Sequence, residues 1–216
     1  MSGTPAEVLA AEPRWPALVA LAALTGIFSA LPESITLGPR WVLFGLVAAL
    51  LTPSLIALRL GHRRLNQLLG YAISSLVTAA MILSLLLLIR GLPAKAESPA
   101  QLLHGAAALW LSNVLVFALW YWRLDAGGPH GRERRSRHSD GAFLFPQMSE
   151  MHPDATARRW SPQFIDYLFI AFNTSTAFSP TDTPVLSRWA KGLTMVQSLI
   201  SLLIVAILVS RAIGLL

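Results

Sequence analysis

Apolar residues along this chain fall in long unbroken runs, not in the alternating or three-and-four spacing of a water-facing strand or helix. Such runs occupy residues 16–31, 41–58, 68–89 and 101–122, close to the length that crosses a hydrocarbon core of roughly 30 Å. A fifth run, 161–178, ends in small hydroxyl residues. A break at Ser179-Pro180-Thr181-Asp182-Thr183-Pro184 follows, and a sixth run extends from about Ala190 to Leu216. No strand-length stretch alternates apolar and polar positions, so helices are expected and a barrel is not. The pattern predicts an all-α, polytopic helical membrane protein: four N-terminal spans, then a C-terminal helical hairpin. It divides the chain into a tail (1–15), a four-span bundle (16–122), a hydrophilic loop (123–160) and the hairpin (161–216).

Composition agrees with this class. Hydrophobic residues make up 54% and charged residues 13% of the chain, with a mean hydropathy of +0.56, too little charge to cover a water-facing globule. The net charge of +6 does not point to nucleic acid, because the basic residues flank apolar runs. Ten of the 17 Lys and Arg lie in the connections 59–67 and 123–160. The positive-inside rule places both on the cytoplasmic side of a cell membrane, here taken as a bacterial inner membrane. Arg63, Arg64, Arg132, Arg134, Arg135 and Arg137 are therefore expected to act as topogenic residues or to meet lipid headgroups. Phe143-Leu144-Phe145-Pro146 is too short to cross and is expected to touch the interface. Residues 1–15 are expected to form a mobile tail or a short surface helix.

The run 161–178 is only just long enough to span, which leaves two geometries open. Full crossing sends the Ser-Pro-Thr-Asp-Thr-Pro tip outward and returns the C-terminus, with Arg211, to the cytoplasmic face. The alternative is a re-entrant helix.

The candidate chemistry is sparse. The chain contains no Cys, which excludes thiolate catalysis, disulfides and Cys-ligated metals. It contains no P-loop, Rossmann fingerprint, His-Glu-x-x-His or Gly-x-Ser-x-Gly motif, so no enzyme, cofactor or metal site is expected. His104 and Asn113 lie on different faces of the fourth span and share no site. Asp166 falls in a first helical turn, where a carboxylate favours the helix dipole.

Thr174, Ser175 and Thr176 read either as close-packing hydroxyls or as the lining of a water path. Gln197, Ser198 and Ser201 share one side of the last helix and are expected to face Asn173 and Thr174 in a polar seam, structural or pore-lining. Ser179, Thr181 and Asp182 read as turn and cap chemistry, or as the polar mouth of a pore.

The stretch from Asp166 to Arg211 resembles the pore module of tetrameric, potassium-channel-like cation channels. There a pore helix runs through Ser and Thr into a filter, an acid and a Pro, then an inner helix. The resemblance implies that Phe172 to Asp182 stands where pore-helix end and filter stand, that copies assemble into a homo-oligomer, and that monovalent cations pass. The glycines that turn filter carbonyls toward an ion are absent from Ala177-Phe178-Ser179-Pro180-Thr181. The chain as a whole resembles uncharacterised bacterial multi-pass membrane proteins with a C-terminal Thr-Ala-Phe-Ser-Pro-Thr-Asp-Thr motif, here Thr176 to Thr183. Two functions follow as expectations: a channel-like conduit for cations, or a structural or regulatory membrane protein whose hairpin serves packing or partner binding. The lipid bilayer is the surrounding partner in either case.

Overall fold

The computed structural model describes residues 12–36, 38–39, 41–91, 99–133, 141–148, 160–179 and 182–213. Seven α-helices occur among them: α1 (Trp15–Ala30), α2 (Trp41–Arg59), α3 (Arg63–Gly91), α4 (Pro99–Leu124), α5 (Gly128–Arg132), α6 (Phe164–Thr176) and α7 (Arg188–Ile213). No strand is formed by the described residues, and an isolated bridge pairs Phe143 with Val185. The helices α2, α3, α4 and α7 are long and apolar enough to cross a membrane, which makes this an all-α polytopic membrane protein. The 16 residues of α1 and 13 of α6 measure about 24 and 20 Å at about 1.5 Å per residue, short of a core of roughly 30 Å.

Local sequence sets the boundaries. Pro16 sits in the first turn of α1, where its missing N–H costs no intrahelical bond, and the helix stops as Leu31 turns extended before Pro32. Gly61 ends α2 with φ +75°, donating to the Leu58 carbonyl while His62 donates to Ala57. This paired closure needs a left-handed residue and turns the chain straight into α3. Pro53 lies inside α2.

The bundle is built around α4. Its residues from Ser112 to Leu119 are buried on every side, the mark of a central helix, whereas α2 buries only Val47, Ser54 and Ala57 and lies at the edge. Arg14 before α1, Asn66 in the first turn of α3 and His130 beyond α4 meet in one cluster, with Arg14 Nη1 3.1 Å from His130 Nε2 and His130 Nε2 3.0 Å from Asn66 Oδ1. The connections after α2 and α4 therefore share one end of the bundle, the basic end.

Hydrogen-bond register fixes the C-terminal helices. Against α4, Trp122 meets Phe164 and Trp110 meets Phe172, so α6 runs antiparallel to α4. Asn113 bonds the Gln197 carbonyl and Trp110 bonds Ser201, so α7 is antiparallel to α4 as well. Between α6 and α7, Ala171 pairs with Gln197 and Ser175 with Ser201, a parallel register. Two parallel helices cannot be joined by a tight turn. After Thr176 the chain runs back toward the basic end, where Leu144 N–H donates to the Pro184 carbonyl and Leu186 N–H to the Ala142 carbonyl.

Of the two geometries open in the sequence, α6 adopts re-entry: it rises from the basic end, stops beside Asn113 about halfway along α4, and a return segment leads back to the start of α7. The C-terminal part of α7, including Arg211, then lies at the opposite end and not back at the basic face.

Candidate functional site

The closed face of α6 carries a polar seam. Gln197 lies on α7 at 0% exposure, and its Nε2 donates to the Ala171 carbonyl at 2.7 Å and to Ser175 Oγ at 2.8 Å. Its Oε1 accepts from the Tyr121 hydroxyl. Ser201 Oγ donates to the Ser175 carbonyl at 2.6 Å and accepts from Trp110 Nε1 at 3.0 Å. Asn113 Nδ2 reaches Ser175 Oγ at 3.4 Å, and Ser198 Oγ the Thr174 carbonyl at 3.4 Å. Each bond satisfies a group that would otherwise be costly in an apolar interior.

Ser175, Gln197 and Ser201 are thus brought together, with Thr174 at the edge, its Oγ1 buried without a bond. Asn173 is half-buried and its Nδ2 makes no bond within the protein. The face expected to meet Asn173 instead meets Ala171 and Ser175.

The remaining residues of the hydroxyl-rich stretch turn outward. Thr176 is exposed and bonds back to the carbonyls of Phe172 and Asn173 at 3.0 and 3.3 Å. Ala177, Phe178 and Ser179 are exposed, and Phe178 holds φ +54°, a left-handed conformation unusual for a bulky residue. Asp182 is exposed and Thr183 buried as the segment nears the basic end. Thr181 lies outside the described residues.

The base of α6 is anchored by a second cluster. Asp125 accepts from the Tyr167 hydroxyl at 2.6 Å and from the Ala142 backbone N–H. Arg132 donates to the Trp122 and Asp125 carbonyls at 2.9 and 3.0 Å, pairs with Glu12 at 2.9 Å, and lies over the Tyr167 ring at 5.0 Å. Trp122 Nε1 also donates to Glu12. Burial pushes the Glu12 carboxyl above its ordinary value, against the opposing attraction of Arg132. Asp166 accepts the Gln163 backbone N–H at 2.7 Å, capping the first turn.

Three expectations are corrected by this cluster. Arg132 cannot meet lipid headgroups, because its guanidinium is 1% exposed and fully engaged in the ion pair and two carbonyl bonds. Residues 12–14 are no mobile tail: Glu12 is buried and Arg14 pairs with Glu133 at 3.1 Å. Phe143 and Phe145 are buried among Tyr121, Tyr167, Trp160 and Trp189, drawn inward by edge-to-face ring contacts. Arg63 and Arg64 are exposed at the basic end, while Arg134, Arg135 and Arg137 lie outside the described residues.

Asn113, Trp110 and Tyr121 of α4 belong to the seam, which the sequence alone confined to α6 and α7. Their spacing of three and eight residues puts them on one face of α4, a stripe that could have been read. His104 is exposed on another face and bonds the Ala100 carbonyl of its own helix. Among the described residues no cluster of three His, Asp or Glu could hold a metal ion. No protein-family model, curated protein or solved structure matches the chain.

Proposed function

We propose that this membrane protein assembles through its C-terminal unit into a channel-like homo-oligomer that conducts monovalent cations, with the return segment lining the path. The observation that carries this reading is the place of that segment. Ala177 to Ser179 are exposed and non-helical just beyond the end of α6, whose Ser175 sits level with Asn113 about halfway along α4. Irregular backbone at membrane depth persists only where protein covers it or water reaches it. A single copy supplies neither, so neighbouring copies around an aqueous axis do.

The sign of the charge favours cations. From Trp160 to Ser187 the chain has two Asp and no Lys or Arg, and the carbonyl end of α6 points to mid-depth, where its dipole favours positive charge. Thr176, Ser179 and Asp182 are the lining residues of this reading. Thr174, Ser175, Gln197 and Ser201 are packing residues that hold α6 at its depth, and their burial is what favours the alternative of a purely structural unit.

The test is ion flux from proteoliposomes under potassium, sodium, proton and chloride gradients, for the native chain and Asp182→Asn. Cation flux that the substitution slows supports the conduit. Silence for every ion from folded protein leaves the structural reading.

A further inference from the structure

At the basic end, a cavity of about 60 Å³ lies among α1, α2, α3, α4 and the turn into α5. This is far below the roughly 300 Å³ or more of a pocket that takes a nucleotide-sized ligand, and it suits a phosphate-sized group. Its polar wall holds Arg123, Arg14, Asn66, Gln67 and Tyr71, and its apolar wall holds leucines of α1, α2 and α4, among them Leu21, Leu51, Leu55 and Leu119.

Arg123 is the unusual group. Its Nε is buried and bonds nothing in the protein, and among the described residues none offers it a carboxylate. Its guanidinium lies 5.4 Å from the Trp122 ring centre, and Gly70 on α3 makes room for it, since a Cβ there would collide with Nη1. A half-buried cation whose buried Nε has no partner is costly and marks a group kept for an anion. Arg14 beside it is already paired with Glu133, which leaves Arg123 as the cation with unused donors. Through Gln67 and His130 the cavity adjoins a more open depression lined by Arg63 and Arg64, which adds positive potential.

We infer that this cavity binds the phosphate of an anionic phospholipid, with Arg123 as its principal donor and one acyl chain along the leucine wall. A phosphate offers the bidentate acceptor a guanidinium fork fits, and the apolar wall has no use for a soluble anion. The site lies on the far side of α4 from the α6–α7 seam, so its occupancy is independent of whether ions permeate.

The experiment is thermal unfolding of the full chain in neutral detergent, titrated with phosphatidylglycerol, phosphatidylcholine or inorganic phosphate. The expected result is a saturable rise in midpoint with phosphatidylglycerol that exceeds both others. Arg123→Gln should weaken it about tenfold to a hundredfold, the worth of a charge-assisted bond. Leu55→Trp, which fills the apolar half and leaves every charge in place, should weaken it as well, while Lys191→Gln on the exposed start of α7 should not. Equal shifts with inorganic phosphate or phosphatidylcholine would overturn the anionic-lipid assignment. A phosphatidylglycerol shift that survives both Arg123→Gln and Leu55→Trp would overturn the site.

Discussion

The two faces of α6 carry similar residues in opposite situations. On the closed face Tyr167, Ile170, Ala171, Thr174 and Ser175 are all at 0–1% exposure, tied to Asp125 at the base and to Gln197 and Ser201 near the tip. On the open face Ile165, Phe169 and Phe172 are about half exposed or more, and Thr176 continues into an uncovered return segment. Ser175 and Thr176 are neighbours in sequence, yet one is a structural tie and the other is free to meet water or another copy. The roughly 100° step between successive helical positions, not residue type, separates their roles. The closed face sets how deep α6 stands, and depth is what gives the open face its consequence.

The comparison breaks most severely at the base. Arg132→Ala removes the partner of buried Glu12 and two carbonyl bonds that fix the end of α4, so it should cost about 3–5 kcal/mol of stability, measured by denaturant or thermal unfolding in detergent. Next in size is the tip. Gln197→Leu strands Ser175, the Ala171 carbonyl and the Tyr121 hydroxyl, and should cost about 1–3 kcal/mol. Thr176→Ala on the open face should stay within about 0.5 kcal/mol in the same assay. Equal losses at Gln197 and Thr176 would erase the distinction between the faces.

A smaller effect follows pH. Glu12 has a folded pKa raised above its reference value of 4.5 by burial, so the folded state holds its proton more tightly than the unfolded chain does. Its contribution is complete below that reference value and is lost as pH rises through the raised one. The unfolding midpoint should fall with pH across that window, and Glu12→Gln should flatten the slope.

How far these features were legible depended on distance along the chain. Apolar run length alone identified α2, α3, α4 and α7, because membrane thickness acts on each helix separately. The side of the last helix that carries Gln197, Ser198 and Ser201 was legible from helical periodicity. The partner of that side was not: Asn113, Trp110 and Tyr121 come from α4, and only tertiary register brings them to Gln197. The parallel pairing of α6 with α7 was hidden for the same reason, since a Pro-rich break reads equally as a tight tip or as a return segment. Glu12 and Arg132, about 120 residues apart, gave no local sign of pairing. Each looked like an ordinary flanking charge.

The most direct test of the account uses the absence of native cysteine. Ser179→Cys, in sealed membranes, is exposed to a water-soluble cationic thiol reagent and compared with Leu199→Cys on the exposed apolar side of α7. If the return segment lines an aqueous path, Ser179→Cys is modified rapidly and Leu199→Cys is not. A Ser179→Cys thiol that stays unmodified in the membrane and reacts only after unfolding would contradict the path and make the segment a dry packing element.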